Sequence, residues 1–326
     1  MRRPALPPVL PRRLRRPRLL IIGCGDVGSR LAASLAKRFG ERMRLIGTGR
    51  KPASLAAIRA LGALPLAIDL DDRRSAARLA GLAKRIVHLV PPPGTGRSDA
   101  RSRRLAAVLG AAARPGAGPT MVYCGTTGVY GDAGGARLDE TRPIAPGSDR
   151  ARRRASGEHQ LRALARRRRA RVALLRAPGI YAHDRLPLER LRRGAPAIHH
   201  AGDSYSSRIH AEDLARLLWL ALFRAGNCRV YNAVDSVELR MGEWFDRVAD
   251  ATGLPRPPRA SRDTVREQVS PAMWSFMAES RRISNRRILR ELRARLRYPD
   301  PRMALEEVRT RHRENGPWQG EGTPRT

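Results

Sequence analysis

The chain has 326 residues, 41% of them hydrophobic. That is enough to bury a core, either as one large α/β domain with an appended lobe or as two modest domains, and no run reaches the roughly 18 apolar residues of a membrane helix. The formal charge of +35 rests almost wholly on arginine, with only Lys37, Lys51 and Lys84 as lysines. These arginines are spread along the chain, aromatics make up 4%, and there is no zinc-finger spacing or aromatic RNA-binding signature, so nucleic acid is not the main partner expected.

Residues 1–17 carry Pro4, Pro7, Pro8, Pro11 and Pro17 among arginines and no acid, the composition of a disordered basic leader. Leu19–Ile22 is a short apolar strand. Val27, Leu31, Leu35 and Phe39 then recur every four residues, the stripe of a helix buried on one face. A strand at 44–47, a helix at 53–61 and a strand at 64–68 follow. Ile86–Val90 is an apolar strand that Pro91-Pro92-Pro93 ends. Helix 105–113, strand 121–123, a long helix over 150–168 and strand 172–175 complete the series. Short apolar strands alternating with helices predict an α/β fold, a doubly wound parallel sheet covered on both faces. The boundaries read as a dinucleotide-binding domain over 18–176, a smaller lobe over 177–311 that partly returns to the sheet, and a polar tail over 312–326. In the lobe, Leu214, Leu217, Leu218 and Ala221 mark one helix and residues 243–252 another.

Cys24, Cys124 and Cys228 lie far apart, with no Cys-x-x-Cys and no His-Glu-x-x-His. Neither a disulfide framework nor a metal site is indicated, and a reducing cytoplasm fits. His199-His200 is an isolated pair that reads as loop or surface.

The segment LLIIGCGDVGSRLAASLAKRF holds Gly23, Gly25 and Gly28 in G-x-G-x-x-G spacing. A strand precedes it and a striped helix follows, the context in which this spacing binds a dinucleotide. Gly23 permits the tight turn, Gly25 lets the backbone approach a pyrophosphate, and Gly28 lets helix and strand pack closely; Cys24, Asp26 and Val27 belong to the same loop. About twenty residues on, where an NAD site places an acid for the ribose 2′-hydroxyl, the chain has Gly49, Arg50 and Lys51. Arg50 suits a 2′-phosphate, so NADP is expected, with NAD as the alternative. Asp69 and Leu70, after the 64–68 strand, complete the expected cofactor contacts.

The segment VYCGTTGVYGD over 122–132 resembles the strand and VYG turn of extended short-chain dehydrogenase/reductases, the epimerase/dehydratase family. LRAPGIYAHDR over 175–185, SRIHAEDLARLLWLAL over 207–222, VYNAVD over 230–235 and SRRISNRRILREL over 280–292 are similar to further segments of that family in the same order. The likeness spans roughly 18–305, and its last segment resembles one found in a branch of atypical members. It implies an oxidoreductase or epimerase/dehydratase acting on a hydroxyl or carbonyl of a small molecule.

The resemblance implies a catalytic hydroxyl at Thr126, four residues before Tyr130. The same Thr could instead tie down the turn at the strand end. The family's Tyr-x-x-x-Lys pair, with an acid four beyond, aligns on Arg150, Arg154 and Glu158 in SDRARRRASGEHQ over 148–160. Arg150 and Arg154 share a helix face, and Arg152 and Arg153 lie on others, expected in solvent. An arginine cannot act as general acid or base, so Arg150 is expected to bind substrate by charge and Arg154 to reach the nicotinamide ribose. Tyr130, Tyr181 and His183 remain for proton transfer, each with a plain packing or loop role as its alternative. His210 and Asp213 match a further segment, but Ser206 stands where nucleotide-sugar enzymes carry a phosphate-binding arginine, leaving Arg208 as the substrate-binding arginine. Two other readings stay open: a non-catalytic dinucleotide-binding sensor or scaffold, and a basic nucleic-acid-associated protein. The family also implies a homodimer through helices over 99–113 and 149–168.

Overall fold

The computed structural model describes residues 16–40 and 42–315, with side chains through Arg311. Most of the basic leader and the tail beyond residue 315 lie outside the described residues. Seven strands form the central sheet: β1 (Arg18–Ile22), β2 (Arg44–Gly49), β3 (Leu64–Ala67), β4 (Arg85–His88), β5 (Thr120–Thr126), β6 (Arg171–Ala177) and β7 (Val230–Asn232). Their order is β7-β6-β5-β4-β1-β2-β3, and every neighbouring pair is parallel. The chain runs outward from β1 to β3 and then crosses over to β4. The switch between β1 and β4 opens a crevice at the carboxyl ends of the strands.

Alternation along each strand feeds two cores. Leu19 and Ile21 of β1 face the helices Asp26–Phe39 and Ala211–Arg224. Leu20 and Ile22 face the helices Ala100–Ala112 and Asp149–Arg166. A strand buried on both faces needs no polar positions, which is why these segments read as unbroken apolar runs. A third core, around Tyr181, Leu191, Trp244, Phe245 and Val248, holds the residues that cap the sheet's carboxyl edge. Residues after 177 also supply β7 and the helix Ala211–Arg224 that covers one sheet face.

Several boundaries differ from the sequence expectation. The helix expected from Leu105 begins at Ala100, because Asp99 caps it by accepting from the Ser102 N–H. The five-residue helix Arg73–Ala77, capped by Asp72, is too short to show a period. The helix Pro301–Asn315 occupies the first four positions read as tail.

Candidate functional site

The glycine loop sits between β1 and the helix Asp26–Phe39. Gly23 has φ +88°, and a Cβ there would lie 2.9 Å from the Val90 nitrogen. A Cβ at Gly28 would lie 2.9 Å from the Gly23 carbonyl oxygen and 3.2 Å from Ile21 Cγ2, so the helix meets the strand only because no side chain intervenes. A Cβ at Gly25 would meet nothing within 4 Å, since this glycine faces open space in the cleft. Gly25 also caps the helix with no side-chain hydrogen bond, which leaves first-turn N–H groups for an anion. This arrangement fits a dinucleotide pyrophosphate.

Asp26, in that first turn, would oppose an anion on its own. Its carboxylate accepts from Arg30 Nε at 2.8 Å and from Arg185 at 2.5 Å. Arg30 also donates to both oxygens of Asp184, at 2.5 and 2.6 Å. Val27 lines the cleft, whereas Cys24 turns away and packs beneath β2 beside Gly47. Burial raises the Cys24 thiol pKa.

The cleft has a volume of about 800 Å³. It runs from the glycine loop past Pro91–Gly94 and the end of β5 to a wall formed by Tyr181, Arg208, Met241, Trp244 and Phe245. Arg154 lines it and donates to the Cys124 carbonyl at 3.1 Å. Arg150 is at the mouth, its guanidinium stacked 3.7 Å above the Phe276 ring centroid. Arg152 binds Asp149 at 2.7 Å on the outer surface. Arg153 departs from the expectation. The loop after β4 folds against this helix, so Arg153 donates to the Gly96 carbonyl at 2.8 Å and also lines the cleft.

Of the residues expected to move or orient protons, Thr126 and Tyr181 line the cleft. Thr126 Oγ1 accepts from the Gly128 N–H at 3.2 Å, which ties the turn and leaves its own proton free to donate. The Tyr181 hydroxyl is buried without a hydrogen-bond partner. Its ring lies edge-on to His210 and Trp244, and burial raises its pKa, so it stays protonated. Tyr130 does not reach the cleft: it is buried under Arg176, and its hydroxyl donates to Asn232 Oδ1 at 2.8 Å. His183 lies beside Asp184, outside the cleft lining.

Arg50 and Lys51 follow β2 and are exposed. Asp69 and Leu70 do not line the cleft. Asp69 turns back to accept from the Asp71 N–H at 2.9 Å, and Leu70 is buried in the core. Glu158 forms a buried bidentate pair with Arg176, at 2.9 and 2.7 Å, which places it behind the site. Arg208 is 4% exposed at the cleft wall, with its guanidinium against the Trp244 ring.

Sequence reasoning missed the apolar and aromatic wall of Met241, Trp244, Phe245, Met273 and Phe276, and also Arg185. The first two cleft aromatics sit on a helix whose period signals only burial. Arg185 meets Asp26 across 159 positions, a pairing that spacing does not carry. Among the described residues no group of His, Cys, Asp and Glu side chains is arranged to hold a metal, and no helix is long and apolar enough to cross a membrane.

A seven-stranded doubly wound parallel sheet with an open glycine turn at its switch point defines a Rossmann protein. The chain belongs to the NAD dependent epimerase/dehydratase family, whose model matches residues 19–233. Among solved structures, a conserved protein of unknown function from Silicibacter pomeroyi DSS is 32% identical, with a TM-score of 0.73 over 90% of this chain and 98% of its own. The dTDP-glucose 4,6-dehydratase of Bacillus anthracis str. Ames, in complex with NAD, is 16% identical, with a TM-score of 0.73 over 92% of this chain and 97% of its own. The UDP-glucuronic acid 4-epimerase of Bacillus cereus, in complex with UDP-glucuronic acid and NAD, is 16% identical, with a TM-score of 0.70 over 91% and 99%. At 16% identity the last two likenesses are of fold. A comparison with curated proteins gave no match.

Proposed function

We propose that the protein is an NADP-binding oxidoreductase or epimerase/dehydratase that acts on a hydroxyl or carbonyl of a small molecule, with proton handling that departs from the family's usual pair. The observation that carries this reading is a single cleft joining the glycine loop to Thr126, Arg154, Tyr181 and Arg208. A bound nicotinamide would accept or donate the hydride. The glycine-loop N–H groups would hold the pyrophosphate, and the donors of Arg154 would serve the adjoining ribose. Thr126 would orient the substrate oxygen. Tyr181, kept protonated by burial, would donate the proton that Arg150 cannot supply. The choice of NADP rests on Arg50 and on the missing acid after β2. The dTDP-glucose 4,6-dehydratase and the UDP-glucuronic acid 4-epimerase of like fold are each in complex with NAD, which is the alternative cofactor.

Titration with NADPH and NADH, followed by turnover assays across hydroxyl and carbonyl compounds, tests the reading. Turnover that Tyr181→Phe removes and Tyr130→Phe spares is the expected result. No binding of either cofactor would sink it. Cofactor binding without turnover favours a sensor or scaffold instead, a second reading motivated by Arg150 at the position aligned with the family's tyrosine. A cytoplasmic homodimer, paired through the adjacent helices Ala100–Ala112 and Asp149–Arg166, belongs to the same proposal.

A further inference from the structure

Arg208 is a buried cation without a counter-ion. It lies on the short strand Arg208–His210, and 4% of its surface is exposed. One guanidinium nitrogen donates to the Ser206 carbonyl at 2.7 Å and another contacts Met241 Sδ at 3.6 Å. Its face covers the Trp244 ring, with the centroid 4.7 Å away. No carboxylate stands within ion-pair distance of it among the described residues, whereas Arg176, also deeply buried, has Glu158. The carboxyl that acts on it most strongly is Asp235, beyond ion-pair distance, whose pKa burial pushes up to about 8. Desolvation lowers the pKa of Arg208 itself to about 10, which still leaves it charged.

An uncompensated buried charge is costly. Here it sits at the wall of the cleft, with hydrogen-bonding capacity that the protein does not use. Beside it stand Met241, Trp244 and Phe245, which can receive an apolar body.

We propose that Arg208 is the head-group site for a small carboxylic acid with an apolar body. This names the substrate class of the site described under Proposed function and rests on that reading for its chemistry, though not for its binding. A guanidinium fork matches a carboxylate, and the aromatic wall strengthens the interaction by excluding water.

The test is calorimetric titration of the full chain with 3-phenylpropionate, its neutral carboxamide and phenyl phosphate, each with and without saturating NADPH. The acid is expected to bind roughly 10- to 150-fold more tightly than the amide, the range for a hydrogen bond to a charged group. Arg208→Met should erase that preference while melting at or above the temperature of the starting protein, because it removes an unpaired buried charge. Arg208→Lys should keep part of the preference, since it keeps the charge and loses the fork. Absence of acid binding, equal binding of acid and amide, or an unchanged preference in folded Arg208→Met or Arg208→Lys overturns the proposal. Tighter binding of phenyl phosphate than of the acid overturns the carboxylate assignment. Acid binding that depends on Arg208 in a protein that binds no NADPH or NADH would uphold this inference and sink the oxidoreductase reading alone.

Discussion

Gly25 and Gly28 are three positions apart, and their substitution by valine should damage different things. At Gly25 the backbone has φ −85° and ψ −154°, which any L-residue adopts, and an added Cβ meets nothing within 4 Å. Gly25→Val should therefore fold, at a cost of about 1 kcal/mol or less for the poorer helix cap. Its branched side chain would fill the space where the backbone approaches a pyrophosphate. Hydrogen bonds to a charged group are worth about 1.5–3 kcal/mol each, so losing two weakens cofactor affinity by about 3–6 kcal/mol, or roughly 150-fold and upward. Gly28→Val drives a Cβ to 2.9 Å from the Gly23 carbonyl oxygen and 3.2 Å from Leu89 Cδ1 and Ile21 Cγ2. The helix must lift from the strand, an overpacking cost of about 1–3 kcal/mol paired with some loss of binding. Thermal unfolding and cofactor titration of the two variants separate these effects. A folded Gly25→Val protein with undiminished cofactor affinity would refute the argument, because the open side of Gly25 would then face nothing that matters.

Arg50→Ala should narrow a preference for NADPH over NADH by about 1.5–3 kcal/mol, read by titration of both cofactors; equal affinities in the starting protein would mean that Arg50 points to solvent. Arg154→Ala should weaken dinucleotide affinity about tenfold or more, whereas Arg152→Ala, which loses only an exposed pair with Asp149, should leave it nearly unchanged in the same assay. Glu158→Ala or Arg176→Met alone should cost about 3–5 kcal/mol in denaturant unfolding, since each strands a buried charge, and the double variant should recover much of that; strictly additive losses would show that the pair is not coupled. His88 is wholly buried, and desolvation pushes its pKa down to about 3. The unfolded chain binds a proton there near pH 6.5 and the native chain does not, so stability should fall as pH drops from about 6.5 toward 3. Melting curves across that window should be flatter for His88→Gln, and an unaltered slope would assign the acid sensitivity to other groups.

The parts legible in the sequence are those set by neighbours within a turn or a strand. The apolar run Leu19–Ile22 is buried on both faces and so carries no polar residue. Gly23 and Gly28 are required by the positive φ of the turn and by its contacts with the adjoining strands, which explains why their spacing is legible in the sequence. The i, i+4 relation of Arg150 and Arg154 brings both to the cleft for the same local reason. Side-chain fates fixed by distant neighbours were not legible. Tyr130 and Tyr181 look alike in sequence, yet one spends its hydroxyl on Asn232, 102 positions away, and the other is left without a partner at the cleft. Arg153 reads as solvated until the loop after β4 brings the Gly96 carbonyl to it. Arg176 and Arg208 are both buried arginines near strand ends, and only the packing of the helix carrying Glu158 gives one a counter-ion and leaves the other without. Local geometry follows from sequence because it costs no chain closure to bring near neighbours together. Charge pairing and desolvation depend on which remote segments the folded core brings into contact, and only the tertiary structure decides that.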